Sequence, residues 1–313
     1  IICPPGTNIE KYLNMYAEEY GFSNIKLVER ISRTEVPKKH AKFFYQVSFF
    51  AGRNEEKILL DVLFEEIHYN NVITFPIVSP LVKTVGEPIM VSIPSYQDLL
   101  GDKLTAFAPH TTGIPFFKGE KNCSMEINKQ LYDIASLFDI TNDLTITTKT
   151  FKKFALVELA YRHLASNDIQ LVLDDIFNTS LSMIIQGAGN SGEYKMLIDG
   201  IKRVKGFIHS EKYGLESAII NASKAAYLSK MIERGRTEVN HYNPINTSNL
   251  FEIEITVPLP TKLNKLKINK VVHPDTDIFP KTLFINTISA QSIAPIIEHN
   301  PTDDTIVIGN DEK

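Results

Sequence analysis

Two hydrophobic periodicities run along this chain, and the change from one to the other near Pro94 divides it. Residues 42–50 (KFFYQVSFF) are rich in aromatic and β-favouring side chains. Residues 57–65 (KILLDVLFE) are almost continuously apolar, as expected of a strand covered on both faces. The turn Gly52-Arg53-Asn54-Glu55 separates them, and a third strand near 72–78 runs into Pro76 and Ser79-Pro80. Ahead of these, Ile1-Ile2-Cys3-Pro4-Pro5-Gly6-Thr7 reads as the end of a buried strand entering a turn. Thr7 and Glu10 then form a capping box, with Thr7 as N-cap. Ile9, Leu13, Tyr16 and Tyr20 follow at helical spacing, and Gly21 ends the run.

From Pro94 the period lengthens. Helical segments are predicted at about 95–108, 124–139, 148–165, 168–186, 191–209 and 214–234. Ile127, Leu131, Ile134 and Phe138 make the buried stripe of the second, and Met196, Ile201, Val204 and Ile208 that of the fifth. Beyond Gly235, Phe251, Ile253, Ile255 and Val257 alternate as in a strand that Pro258 and Pro260 stop, and prolines recur at 274, 280, 295 and 301. The expected fold class is α+β: an α/β domain over 1–93, a helical domain over 94–235, and an irregular, partly β extension with an acidic tail over 236–313.

Charged residues interrupt these patterns at informative places. Leu99, Lys103 and Phe107 lie four apart, which sets Lys103 inside an apolar stripe. Its ammonium needs an anion or a cleft, or else its stem covers apolar surface while the head reaches water. Lys129, Gln130 and Asp133 lie along one edge of the following helix. In the strand 57–65, Ile58, Leu60, Val62 and Phe64 face one side and Leu59, Asp61 and Leu63 the other. A carboxylate so flanked is either buried with a partner or placed at a cleft edge.

At these residues the chain resembles a known family. Asp98-Leu-Leu-Gly-Asp-Lys-Leu-Thr-Ala-Phe107 is similar to the E-x-L-x-x-K-L-x-A-L block of the AbiEii/AbiGii-type abortive-infection toxins, members of the nucleotidyltransferase superfamily. Lys129-Gln-Leu-Tyr-Asp133 is similar to their R-D-L-Y-D block, with Lys for Arg and Gln for the first Asp. The likeness spans roughly 1–235, and the order and spacing of the two blocks carry it. It implies a nucleotidyltransferase-like mixed sheet with flanking helices. It also implies catalytic roles for Asp61, Lys103 and Asp133, with Asp61 as a carboxylate ligand of Mg2+ in a two-metal site. Lys103 and Lys129 would bind the NTP phosphates, and Lys103 and Asp61 would point into one hollow. Asp133 would orient Lys103 or a metal-bound water, or bind the nucleotide; alternatively it pairs with Lys129 on the surface. Asp98 reads as a capping residue and Asp102 as solvated.

The resemblance carries two further expectations. The family has a Gly-Ser/Thr turn and an Asp-x-Asp strand end just upstream of such a beginning. The chain is therefore expected to be N-terminally truncated past the metal-binding motif and inactive or impaired as given, with a processed or tag-removed chain as the alternative. The implied partners are a nucleotide, an acceptor for which a tRNA 3′ end is one candidate, and a cognate antitoxin protein, in a toxin–antitoxin or phage-defence setting.

Composition narrows the classes. With 313 residues, 43% hydrophobic, the chain can bury a sizeable core. A net charge of −4 excludes a global pull toward nucleic acid and leaves only local patches, at Lys149–Lys153, Lys202–Lys205 and Lys262–Lys270. Cys3 and Cys123 suggest neither a disulfide framework nor a zinc site, and the eight histidines show no zinc spacing. No apolar run spans a bilayer and no signal peptide is visible, so a soluble cytoplasmic protein is expected. Gly187-Ala-Gly-Asn-Ser-Gly192 fits G-x-G-x-x-G, but a dinucleotide site needs a strand before it, where a helix is predicted. The loop Thr111–Gly119, with Phe116, Phe117 and Lys118, is a helix–helix connection with an apolar plug or the border of a base site. The competing functional class is a non-catalytic helical interaction or scaffold protein with a β-rich docking domain.

Overall fold

A computed structural model describes residues 1–19, 24–28, 38–46, 55–79, 85–164, 168–184, 186–187, 191–239, 241, 298–300 and 305–307. By internal contacts the chain forms two compact units, Ile1–His68 and Tyr69–Lys313.

The first unit holds β1 (Ile2–Cys3), α1 (Ile9–Glu19), β2 (Asn24–Val28), β3 (Lys38–Gln46) and β4 (Glu55–Phe64). The strands form one sheet in the order β1-β4-β3-β2; β1 is parallel to β4 and the other neighbours are antiparallel. Val62 is buried against Ile9 and Leu13 of α1, with Leu60, Phe64 and Cys3 packed around them. The two-residue period over 60–64 is therefore real: Leu60, Val62 and Phe64 serve the helix side, while Asp61 is exposed.

The cap of α1 differs from expectation. Asn8 Oδ1 accepts from the Lys11 amide at 3.3 Å, whereas the Thr7 hydroxyl donates to the Pro4 carbonyl at 2.7 Å. The Pro4-Pro5-Gly6 turn engages the threonine, and asparagine caps equally well, so the helix starts one residue later. Ile9 and Leu13 are buried as the spacing predicts, whereas Tyr16 is exposed. Tyr20, Gly21, residues 47–50 and the turn at 52–54 lie outside the described residues.

The second unit opens with the antiparallel hairpin β5 (Val72–Pro76) and β6 (Met90–Pro94). Then come α2 (Tyr96–Ala106), a small hairpin of β7 (Phe117–Lys118) and β8 (Lys121–Asn122), α3 (Ser124–Phe138), α4 (Thr145–Tyr161), α5 (Ile169–Ile184), α6 (Ser191–Val204), a 3₁₀ turn at Lys205–Phe207, and α7 (Leu215–Glu233). All six predicted helical segments are present. Ile127, Leu131, Ile134 and Phe138 are buried, and one continuous core runs from Leu100 to Val239. A helix, α5, leads into Gln186-Gly187, which removes the strand that a dinucleotide site requires. Far along the chain β9 (Glu298–Asn300) and β10 (Thr305–Val307) pair antiparallel. The strand expected at 251–257, the lysines of 262–270 and the prolines at 258, 260, 274, 280, 295 and 301 lie outside the described residues. Among the described residues no helix is long and apolar enough to cross a membrane.

The start of α2 is fixed with unusual completeness. Ser95 caps it, its Oγ accepting from the Asp98 amide at 3.2 Å. Asp98 has no solvent exposure, yet its carboxylate accepts from the Asn70 and Asn71 amides (2.7 and 3.0 Å), the Ser95 hydroxyl (2.6 Å) and the Thr150 hydroxyl. Burial pushes this carboxyl up, but the hydrogen bonds outweigh burial and hold it below the ordinary aspartate range. One turn on, Gly101 lies against α4; a Cβ there would sit 2.6 Å from the Thr147 carbonyl and 2.8 Å from the Phe151 amide nitrogen.

Asp98→Asn puts an amide NH2 where donors converge, leaving buried groups unsatisfied, and should destabilise the chain by about 3 kcal/mol. Because the folded value is depressed, the part of the wild-type advantage that comes from ionisation is complete above the ordinary aspartate pKa of about 3.9 and is lost as pH falls through the lower folded value. Urea unfolding of both proteins across that range should show the gap narrowing with acid. A gap independent of pH would contradict the ionised assignment.

Candidate functional site

Five residues beyond Asp98, α2 presents Lys103 toward α3. Its Nζ lies 2.7 Å from Asp133 Oδ2, with side-chain exposures of 29% and 41%. The stripe Leu99, Lys103, Phe107 therefore resolves into a half-buried leucine, a fully buried phenylalanine and a lysine whose ammonium meets a carboxylate on the neighbouring helix. Pairing, not snorkelling, satisfies the charge. The exposure matters as much as the contact, because a polyanion can still reach this ammonium.

Asp133 thus pairs with Lys103 and not, as the surface alternative held, with Lys129. The Lys129 ammonium stands 3.8 Å from the ring centroid of Phe207 instead. Asp102 accepts from the Tyr69 hydroxyl at 2.9 Å and is half-buried, so it is a tether and not a solvated charge. Asp98 is a buried hub, where only a cap was expected. Phe116 is the apolar plug of the 111–119 loop, while Phe117 is 52% exposed.

Asp61 belongs to the first unit; Lys103, Lys129 and Asp133 belong to the second. The structure brings Lys103 and Asp133 together from positions thirty residues apart. Asp61 is exposed on β4, and among the described residues no group of three His, Cys, Asp or Glu side chains forms a metal-binding cluster.

A second buried acid escaped the sequence reading. Asp175 of α5 accepts from the His110 and Thr111 amides and the Thr111 hydroxyl, each at 2.8 Å, and from Thr179 Oγ1 at 3.2 Å. Burial outweighs these bonds and raises its pKa. Arg162 reinforces the same turn by donating to the Gly113 carbonyl. This pair fastens the chain leaving α2; amphipathic spacing gives no sign of such long-range side-chain-to-backbone bonds.

The two charged blocks that meet at Lys103 and Asp133 lie within residues 7–204, which match the family model of the nucleotidyl transferase AbiEii toxin, type IV toxin–antitoxin system. The chain belongs to this family. No curated protein matches it. Lys103 and Asp133 both lie inside the matched segment. Membership supports a nucleotide substrate and an antitoxin partner at the level of the family.

An ion pair this exposed contributes about 0.2–1 kcal/mol to folding. Lys103→Ala, Asp133→Ala and the double variant should therefore unfold within about 1 kcal/mol of wild type in urea, with a coupling energy at the low end of that range. A coupling of several kcal/mol would mark the pair as a structural strut and not as an accessible site.

Proposed function

We propose that this AbiEii-family chain transfers a nucleoside monophosphate from an NTP to an acceptor hydroxyl, with a tRNA 3′ end as one candidate acceptor. The observation that carries this reading is the Lys103–Asp133 contact at 2.7 Å, which leaves the ammonium at a half-open position. Lys103 serves as a compact point charge for the triphosphate, the substrate group that gains most from a localised cation. Asp133 acts as a positioning residue: it holds the ammonium in one place before substrate arrives. A preset charge spares reorganisation as negative charge moves onto the leaving pyrophosphate. Lys129, one helical turn before Asp133, supplies a second cation on the same face of α3.

A Mg2+ requirement belongs to this reading, with Asp61 as the carboxylate assigned to it. Among the described residues no group of three His, Cys, Asp or Glu side chains completes a site around that acid.

The test is transfer of labelled NTP to bulk tRNA by the wild-type protein, with and without Mg2+. Lys103→Ala should lower transfer on the order of 10²-fold, the size expected for losing one preorganised charge contact, while its melting temperature stays close to wild type. Undiminished transfer by a folded Lys103→Ala protein would refute the role of Lys103. Absence of transfer by the wild-type protein would refute the enzymatic reading.

A further inference from the structure

Phe207 is a phenylalanine in a place where folding gives it little to do. It ends the 3₁₀ turn Lys205-Gly206-Phe207 after α6, is 59% exposed, and lies just beyond the segment matched to the family. One face of its ring is occupied by the Lys129 ammonium at 3.8 Å. Most of the residue stays open to solvent beside that contact.

The surroundings are basic and directional. Arg203 is engaged with Asp199 at 3.0 Å and with Asn122 and Ser124 at 2.9 and 2.8 Å, which ties the end of α6 to the start of α3. Lys202 and Lys205, on either side of it in sequence, are exposed. From Phe207 the chain runs along α3 in step with it, for the Tyr132 hydroxyl meets Ser210 Oγ at 2.7 Å and the Tyr132 ring meets Tyr213 edge-on. Lys129 and Asp133 share one face of α3, about 6 Å apart along its axis. From this helix the Lys129 side chain reaches Phe207 and the Asp133 side chain reaches Lys103.

We propose that Phe207, backed by Lys129 and preceded in the chain by the exposed Lys202 and Lys205, is a stacking platform for an unpaired base of a single-stranded RNA, the acceptor strand of the transfer. Every base offers a π face, so the platform grips without reading sequence, and the two lysines track the phosphates. The chain's net charge of −4 makes a local device of this kind necessary for any RNA contact. The role as acceptor site rests on the transferase reading, but the binding does not.

The experiment measures fluorescence anisotropy of a short labelled single-stranded RNA with the full chain, in parallel with the transfer assay. Phe207→Ala and Phe207→Leu should each weaken RNA binding by roughly 5- to 100-fold, and Phe207→Tyr should bind like wild type. Leucine preserves an apolar contact but not a stacking face, so it separates stacking from structure. Lys202→Ala with Lys205→Ala should reduce the slope of log affinity against log salt by roughly 1 to 2. Wild-type affinity in both the alanine and leucine variants at Phe207, or no binding by the wild type, overturns the platform. So does intact RNA affinity with weakened NTP binding, which would assign the ring to the nucleotide's own base. RNA binding that depends on Phe207 in a protein without transfer activity supports the platform while refuting the transferase reading.

Discussion

A carboxylate sealed from water is the constraint on which the helical unit depends. Asp98 collects the amides of Asn70 and Asn71, the Ser95 hydroxyl and the Thr150 hydroxyl, and so joins the chain entering β5, the first turn of α2 and the middle of α4 at one point. Four donors around one acid make ionisation favourable despite burial, and they leave α2 little freedom to rotate or slide. Gly101 then lets α4 approach α2 more closely than any side chain would permit. With the N-terminal half of α2 locked in this way, the direction of Lys103 is settled before any ligand is present. Asp175 performs the matching task where the chain leaves α2, so the helix is anchored at both ends by buried aspartates of opposite pKa tendency.

Much of this was readable from residue order, and the failures have physical causes. Helices α2 to α7 were found because their apolar positions recur every three to four residues and bury into one core, as Ile127, Leu131, Ile134 and Phe138 do. The alternation at Leu60–Phe64 likewise identified the buried face of β4. Strands β2 and β6 were missed because each draws its order from pairing, with β3 and β5, and not from a pattern of its own. The α1 cap was misplaced by one residue because Thr7 and Asn8 are both capable caps, and the competing turn at Pro4 decides between them. The roles of Asp98 and Asp102 were underestimated for a related reason. Their partners Asn70, Tyr69 and Thr150 are tens of residues away, and only the folded chain brings them near.

The candidate site illustrates the same division. The sequence singled out Lys103, Lys129 and Asp133 and left open whether Asp133 would serve Lys103 or Lys129. The fold answers with a 2.7 Å contact to Lys103 and turns Lys129 toward Phe207, a residue that no motif marks. Asp61 retains the exposure that a ligand-binding acid needs, on a strand whose other face secures α1.

The central claim is that the Lys103 ammonium, positioned by α2 and held by Asp133, is a receptor for polyphosphate. Thermal unfolding of the full chain against rising concentrations of an NTP and of its parent nucleoside measures this directly. The triphosphate should stabilise the wild-type protein, by about 2.7 kcal/mol at a hundredfold excess over Kd, while the nucleoside stabilises it far less and Lys103→Ala erases the difference. Equal stabilisation by nucleoside and triphosphate, or a triphosphate effect that survives Lys103→Ala, would contradict it.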